Sequence, residues 1–192
     1  MCKGSEWGFT LIEVLVAVFV LALGITGAAA MQLAALRTRH QSALLSNAVQ
    51  LASAMADRMR ANSAQMQLGD ADNRYLNLAY DAGVASAPPP VSAASCFAAR
   101  HCDSGQMADF DIDEFKRQVW SGLPAGRLVI CRDNPAWDRG ARALRWDCSA
   151  TPGAPIVIKL GWRGKNPDGS PLQQDPRLDG PAVALALTGA LQ

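Results

Sequence analysis

Histidine is nearly missing from this chain of 192 residues, with His40 and His101 its two imidazoles. A hydrolytic triad or a histidine-rich metal cluster therefore has no basis in the sequence. Aromatic residues make up 6%, too few to suggest a base-stacking platform, and 18 basic against 17 acidic residues leave a net charge of +1. That balance gives no electrostatic reason to expect nucleic acid or an anionic surface as the main partner. Proline does not occur before Pro88, and glycine does not occur between Gly27 and Gly69. Charge is also missing from Val14 to Leu36, where Thr26 and Gln32 are the only strongly polar side chains. A freely soluble cytoplasmic chain is disfavoured by that alone.

An uncharged run of this length suits a membrane-spanning helix, since about 20 residues at ~1.5 Å each cross the hydrocarbon layer. A cleaved secretory signal has a shorter apolar stretch followed by a small-residue cleavage site, and neither fits here. A lipoprotein signal would end in cysteine, whereas Cys2 precedes the apolar run. The plain reading that remains is a single uncleaved anchor. Glu13 disturbs it. The residue sits among Leu11, Ile12, Val14, Leu15 and Val16, where a carboxylate costs about 2.5–3.5 kcal/mol at mid-bilayer and less near the interface. A cation would relieve that cost, but the span has no Lys or Arg, and the first to follow is Arg37. A new chain terminus close by would supply an amine.

The segment Gly8-Phe9-Thr10-Leu11-Ile12-Glu13-Val14 points to such a terminus. It resembles the signal of type IV pilins and pseudopilins: a short polar leader ending in Gly, then Phe, with Glu four residues later. The resemblance implies that the prepilin peptidase, a membrane aspartyl peptidase, cuts after Gly8 and that Phe9 becomes the N-methylated first residue. It further implies that Glu13 pairs with the amine of a neighbouring subunit. Residues 1–8 are then the leader, and Cys2 leaves with them. Arg37 and Arg39 follow the span while Lys3 precedes it, so the positive-inside rule fits poorly; the motif is what places the N-terminus inside.

Helix-favouring Ala, Leu, Met, Gln and Arg fill residues 31–66. Anchor and continuation read as one helix of about 55 residues from Phe9, ~80 Å by rise. Residues 9–36 form its transmembrane half and 37–66 its amphipathic half. Leu44, Ala48, Leu51, Met55 and Met59 recur at spacings of three and four and so share a face, with Arg39, Gln50, Asp57 and Arg60 largely away from it. The stripe suits packing on this chain's own globular part. Gly24 and Gly27 each weaken the helix by roughly 1 kcal/mol relative to Ala and mark a soft point. The stretch Ala56-Asp57-Arg58-Met59-Arg60-Ala61-Asn62, with the helix from Gln32, resembles the PilV branch of minor pilins, the type IV pilus modification proteins. Arg58 and Arg60 read either as solvated charges or as contacts to the helix end or a neighbouring subunit.

Residues 67–192 read as a periplasmic globular part. It opens on loop composition with a stiff polyproline stretch at 86–92. Cys96, Cys102, Cys131 and Cys148 follow, an even number that suggests disulfides with three connectivities open. Cys96–Cys102, closing a small loop, and Cys131–Cys148, tying two strands across residues 133–142, are the favoured pairs. Zinc competes, but neither pair has C-x2-C spacing and only His101 is nearby. A second helix is expected at 111–121, capped by Asp111 with Glu114, stapled by Phe110 and Phe115, and ended by Gly122 and Pro124. Asp109, Asp111, Asp113 and Glu114 superficially resemble a calcium loop, yet Glu114 stands where that loop needs glycine. Strands are expected at 127–131, 143–146, 156–162 and 182–187. A long helix on a small antiparallel sheet is an α+β arrangement, and the pilin resemblance implies the same fold.

The resemblance implies a minor pilin of the PilV kind, inserted in the inner membrane with its C-terminal part in the periplasm and then built into a surface pilus. Its implied partners are other major and minor pilins, the prepilin peptidase, the inner-membrane assembly platform and, before assembly, the membrane. A type II secretion minor pseudopilin shares leader and fold and stays open as an alternative. A pilus-tip adhesin or DNA-binding pilin is a further one, resting on Arg100, Arg117, Arg127, Arg132, Arg139, Arg142, Arg145 and Arg163. Acids interleave with these arginines, so a solvated surface is the preferred reading and nucleic acid is not an expected partner. No nucleophile elbow, phosphate loop or metal-ligand cluster is present, so no enzyme activity, metal or cofactor is expected.

Overall fold

The computed structural model describes residues 8, 10–90, 96, 101–164 and 180–187. They fall in two compact units, Met1–Ala43 and Leu44–Gln192. The division lies inside the segment 37–66 read as the amphipathic half. Helix α1 (Leu11–Ala61) contributes to both units. In the first unit every described side chain is exposed, including Leu11, Ile12, Phe19 and Met31. Thr26 Oγ1 donates to the carbonyls of Ala22 (3.1 Å) and Leu23 (3.0 Å), and Thr38 Oγ1 to that of Ala34 (3.1 Å). Their hydroxyls are thus satisfied within the helix, as a lipid setting requires. The helix is long and apolar enough to cross a membrane.

In the second unit the periodic stripe of α1 is buried. It consists of Leu44, Ala48, Ala52, Met55, Ala56 and Met59, with Leu51 packed half-buried at its margin. Small side chains at 48, 52 and 56 let the packed elements approach closely. After Ala61 the helix breaks at Asn62 (φ −90°, ψ 59°), and a short α2 (Ser63–Met66) follows. The chain then forms β1 (Leu78–Asp81), α3 (Ser104–Gly122), β2 (Arg127–Arg132), a hairpin of β3 (Trp137–Asp138) and β4 (Ala143–Leu144), β5 (Ile156–Gly161) and β6 (Val183–Ala186). Strands β1, β2, β5 and β6 make one antiparallel sheet in the order β1-β2-β5-β6. Leu128, Ile130, Ile158 and Leu160 line its core face together with Phe115, Val119 and the α1 stripe. The expected α+β class, a long helix packed on a small antiparallel sheet, is the observed one.

Three local expectations need correction. The second helix begins at Ser104, seven residues before Asp111. Asp103 caps it, accepting from the Gln106 amide (2.7 Å), while Gln106 Oε1 accepts from the Asp103 amide (3.1 Å). This reciprocal box satisfies two amides that would otherwise be unpaired, so Asp111, Phe110 and Phe115 lie inside the helix, buried, rather than at its start. The end at Gly122 is as expected. The strand expected at 143–146 shrinks to Ala143–Leu144 and pairs with β3 outside the main sheet. Strand β1 lies where composition, with Asp, Asn, Gly and Ala around it, predicts a loop. Its pairing of Leu78 with Ile130 and Tyr80 with Leu128 shows sheet context overriding composition.

Candidate assembly site

Gly8 is exposed, and no atom lies within 4 Å of where a Cβ would stand. Phe9, and Met1–Trp7 before it, lie outside the described residues. The helix starts just beyond: Thr10's carbonyl accepts from the amides of Glu13 (3.1 Å) and Val14 (3.4 Å). Glu13 therefore occupies the first turn, where the helix dipole favours an acid by about 0.3–1 kcal/mol. Its surroundings are apolar and open, with Leu11 84%, Ile12 66% and Val14 53% exposed. Among the described residues Glu13 makes no ion pair. Gly8, the acid and the uncovered part of the apolar helix thus stand together.

The stretch that ends α1 is tied into the second unit. Arg58 pairs with Asp111 (3.1 Å), and Arg60 pairs with Asp57 (2.8 Å). Neither reading of Arg58 from sequence anticipated an internal partner. Tyr75 donates its hydroxyl to Asp111 Oδ2 (2.8 Å), and Asn62 Nδ2 donates to the Tyr75 oxygen (3.0 Å) and to the Ser104 carbonyl (2.8 Å). Burial above all, with Asp111 adding to it, pushes the Tyr75 phenol up and keeps it a proton donor. The signal for Asp111 was available: it lies three residues after Ala108 and four before Phe115, on the buried face of α3. The other acids of the calcium-like run serve separate pairs, Asp109 with Arg74, Asp113 with Lys116 and Glu114 with Arg117.

The opposite face of the sheet is covered by the segment between β2 and β5. All six residues of β5 are buried, so both of its faces are covered. Lys159, in register with Val129, pairs with Asp133 (2.6 Å) and donates to the carbonyl of Asp147 (2.8 Å). Arg145 (3.1 Å) and the Ser149 amide (3.0 Å) hold the other oxygen of Asp133. Arg127 lies over the Trp146 ring at 4.4 Å, and a Cβ at Gly161 would come within 2.9 Å of that indole. Cys131 and Cys148 have their sulfurs 1.91 Å apart, and Cys96 and Cys102 theirs 2.11 Å apart. Cys148 lies beyond β4 in irregular backbone, so its bridge ties a strand to the covering segment rather than strand to strand. With 17 residues of separation, that bridge is worth ~3 kcal/mol by loop closure. A Cys131→Ala/Cys148→Ala chain should lose about that much in denaturant unfolding, and an unchanged midpoint would contradict it.

Two family profiles match the chain. One, described as the prokaryotic N-terminal methylation motif, covers residues 8–29; the other, described as type IV pilin Tt1218, covers residues 30–113. No curated protein and no solved structure matches. The two ranges abut, and together they take in Gly8, Glu13, the apolar run, the buried stripe and the Arg58–Asp111 pair. Strands β2 to β6 lie beyond both.

Proposed function

We propose that this chain, a type IV pilin with an N-terminal methylation motif and so a structural protein rather than an enzyme, serves as a minor pilin of the PilV kind. In this reading it enters the inner membrane through residues 9–36, with the part after residue 66 in the periplasm. Prepilin peptidase then cuts between Gly8 and Phe9 and methylates Phe9. The freed chain joins major and minor pilins on the assembly platform, initiating the pilus or presenting other subunits at its tip. Water and lipid are excluded as apolar helices pack, and Glu13 sets axial register by meeting a neighbour's amine. Cleavage has to come first, because it creates that amine.

One observation carries this reading: an acid with no ion-pair partner among the described residues opens a helix whose apolar side chains are uncovered as far as residue 43. A carboxylate in that setting needs an external cation. The open backbone at Gly8 suits a peptidase that must reach it. Mass spectrometry of the protein from cell envelopes is the test. The expected first residue is methylated Phe9, and a Gly8→Val chain should remain at precursor length. Protein still beginning at Met1, or a Gly8→Val chain processed in full, would overturn the proposal.

A further inference from the structure

The net charge of +1 is an average over the chain, and one stretch departs from it. Between Glu13 and Asp57 there is no acid at all, yet Arg37, Arg39 and His40 fall within four residues. All three are exposed on α1, and among the described residues none of them sits in an ion pair. An arginine on a helix is stabilised by an acid three or four residues away. Around Arg37 and Arg39 those positions hold only leucine, alanine, histidine, glutamine and serine. The two arginines also follow the span, on the side where the positive-inside rule does not call for them.

Their spacing decides what kind of surface they can meet. At ~100° per residue the two arginines stand about 160° apart, on opposite sides of the helix, with His40 between them. A partner helix or a protein face covers one stripe of a helix, roughly 100° wide, and so reaches one arginine and misses the other. Lipid surrounds the helix. The level along α1 agrees: from Glu13 to Arg37 the helix rises about 36 Å, slightly more than the ~30 Å of hydrocarbon. With Glu13 at one boundary, the arginines reach the headgroups of the other. Residues 37–43 are exposed throughout and separate Leu36, the last residue of the uncharged run, from Leu44, the first buried residue of α1.

We propose that Arg37, Arg39 and His40 form a site for anionic phospholipid headgroups at the far face of the membrane, with the arginines taking phosphate oxygens on two sides of the helix. The proposal rests on residues 9–36 spanning the membrane, as in the reading above. A guanidinium presents several N–H donors in one plane, which suits a phosphate group. A cation without an acid of its own beside a bilayer is drawn to the lipids that carry net negative charge. Such contacts fix the depth of the helix in the bilayer, as interfacial arginines do.

The test uses the full chain reconstituted in phosphatidylcholine vesicles with a trace of spin-labelled phosphatidylglycerol or spin-labelled phosphatidylcholine. Electron paramagnetic resonance reads how much of each label is held at the protein. Phosphatidylglycerol should be preferred by at least about five-fold, the effect of one arginine at an anionic surface. The preference should fall as salt rises from about 0.05 M to about 1 M. Arg37→Gln/Arg39→Gln should abolish it, and each single change should remove part of it. Arg60→Gln, a change at an exposed arginine already paired with Asp57, should leave it unaltered. Equal association of the two lipids, a preference kept by the double variant, loss confined to one arginine, or equal loss in Arg60→Gln would overturn the proposal. Inorganic phosphate lowering the preference further than sodium chloride of equal ionic strength would overturn the assignment to lipid in favour of free phosphate. A chain that alkaline carbonate strips from the vesicles would overturn the span and this proposal together. The lipid preference does not depend on cleavage, so its absence leaves the minor-pilin reading standing, whereas protein still beginning at Met1 in cells overturns that reading alone.

Discussion

A chain carrying Glu13→Ala is expected to accumulate in the membrane at the wild-type level and to fall at least ten-fold in sheared filaments. The two halves of that expectation come from different physics. Insertion is governed by transfer of the apolar run, and removing a carboxylate from its entry only lowers the transfer cost, by at most about 2.5–3.5 kcal/mol. In the proposed scheme incorporation depends on a charge pair formed as water is excluded between helices, and coupling across such pairs runs from about 1.5 to 7 kcal/mol. Even the lower figure is a ten-fold effect. Glu13→Gln separates charge from hydrogen bonding, since it keeps the shape and a polar group. It should fail nearly as badly as alanine, and Glu13→Asp should do better than both. Filaments containing Glu13→Gln at the normal level would remove the carboxylate–amine pair from the assembly scheme. The cleavage scheme would remain, because mass spectrometry of the N-terminus tests it separately.

The legible parts of this chain are those where one residue or one period decides. An uncharged run with a single acid at its entry has few physical solutions, and the three-four spacing from Leu44 to Met59 allows one buried face. The helix end at Gly122 and the apolar strand at 156–161 were readable for the same reason. What escaped depends on partners distant in sequence. Strand β1 exists because β2 offers an edge, and nothing in Leu78–Asp81 announces that. Asp111 looked like a cap because it precedes Glu114 by three; Asp103 and Gln106 make the same pattern with the geometry that closes. Arg58 looked like a surface charge until Asp111, 53 residues on, supplied its partner.

The second large effect falls on the cover of the sheet. Lys159 and Asp133 are both without exposed side-chain surface, 2.6 Å apart. Removing one member of a buried pair leaves an uncompensated charge, at a cost of about 3–5 kcal/mol. Lys159→Met keeps the apolar stem and length and deletes the ammonium, so it isolates that cost from cavity formation. It also frees the carbonyl of Asp147 from its donor. At 2–4 °C per kcal/mol for a chain of this size, the melting temperature should drop by roughly 6–20 °C. The pH dependence identifies the cause. Burial pushes Asp133 up, but the bonds from Lys159 and the Ser149 amide, together with the charges of Lys159 and Arg145, more than reverse this and hold it below the usual carboxylate range. A depressed native pKa means the unfolded chain binds more protons, so this stabilisation is complete above the unfolded value near pH 4 and is lost as pH falls through the native one. In Lys159→Met the depression shrinks, and the variant has less left to lose in acid. The gap between the two melting temperatures should therefore be widest above about pH 5 and should narrow steadily below about pH 4. A gap that is absent, or that stays constant into acid, would show that the pair does not hold the cover in place.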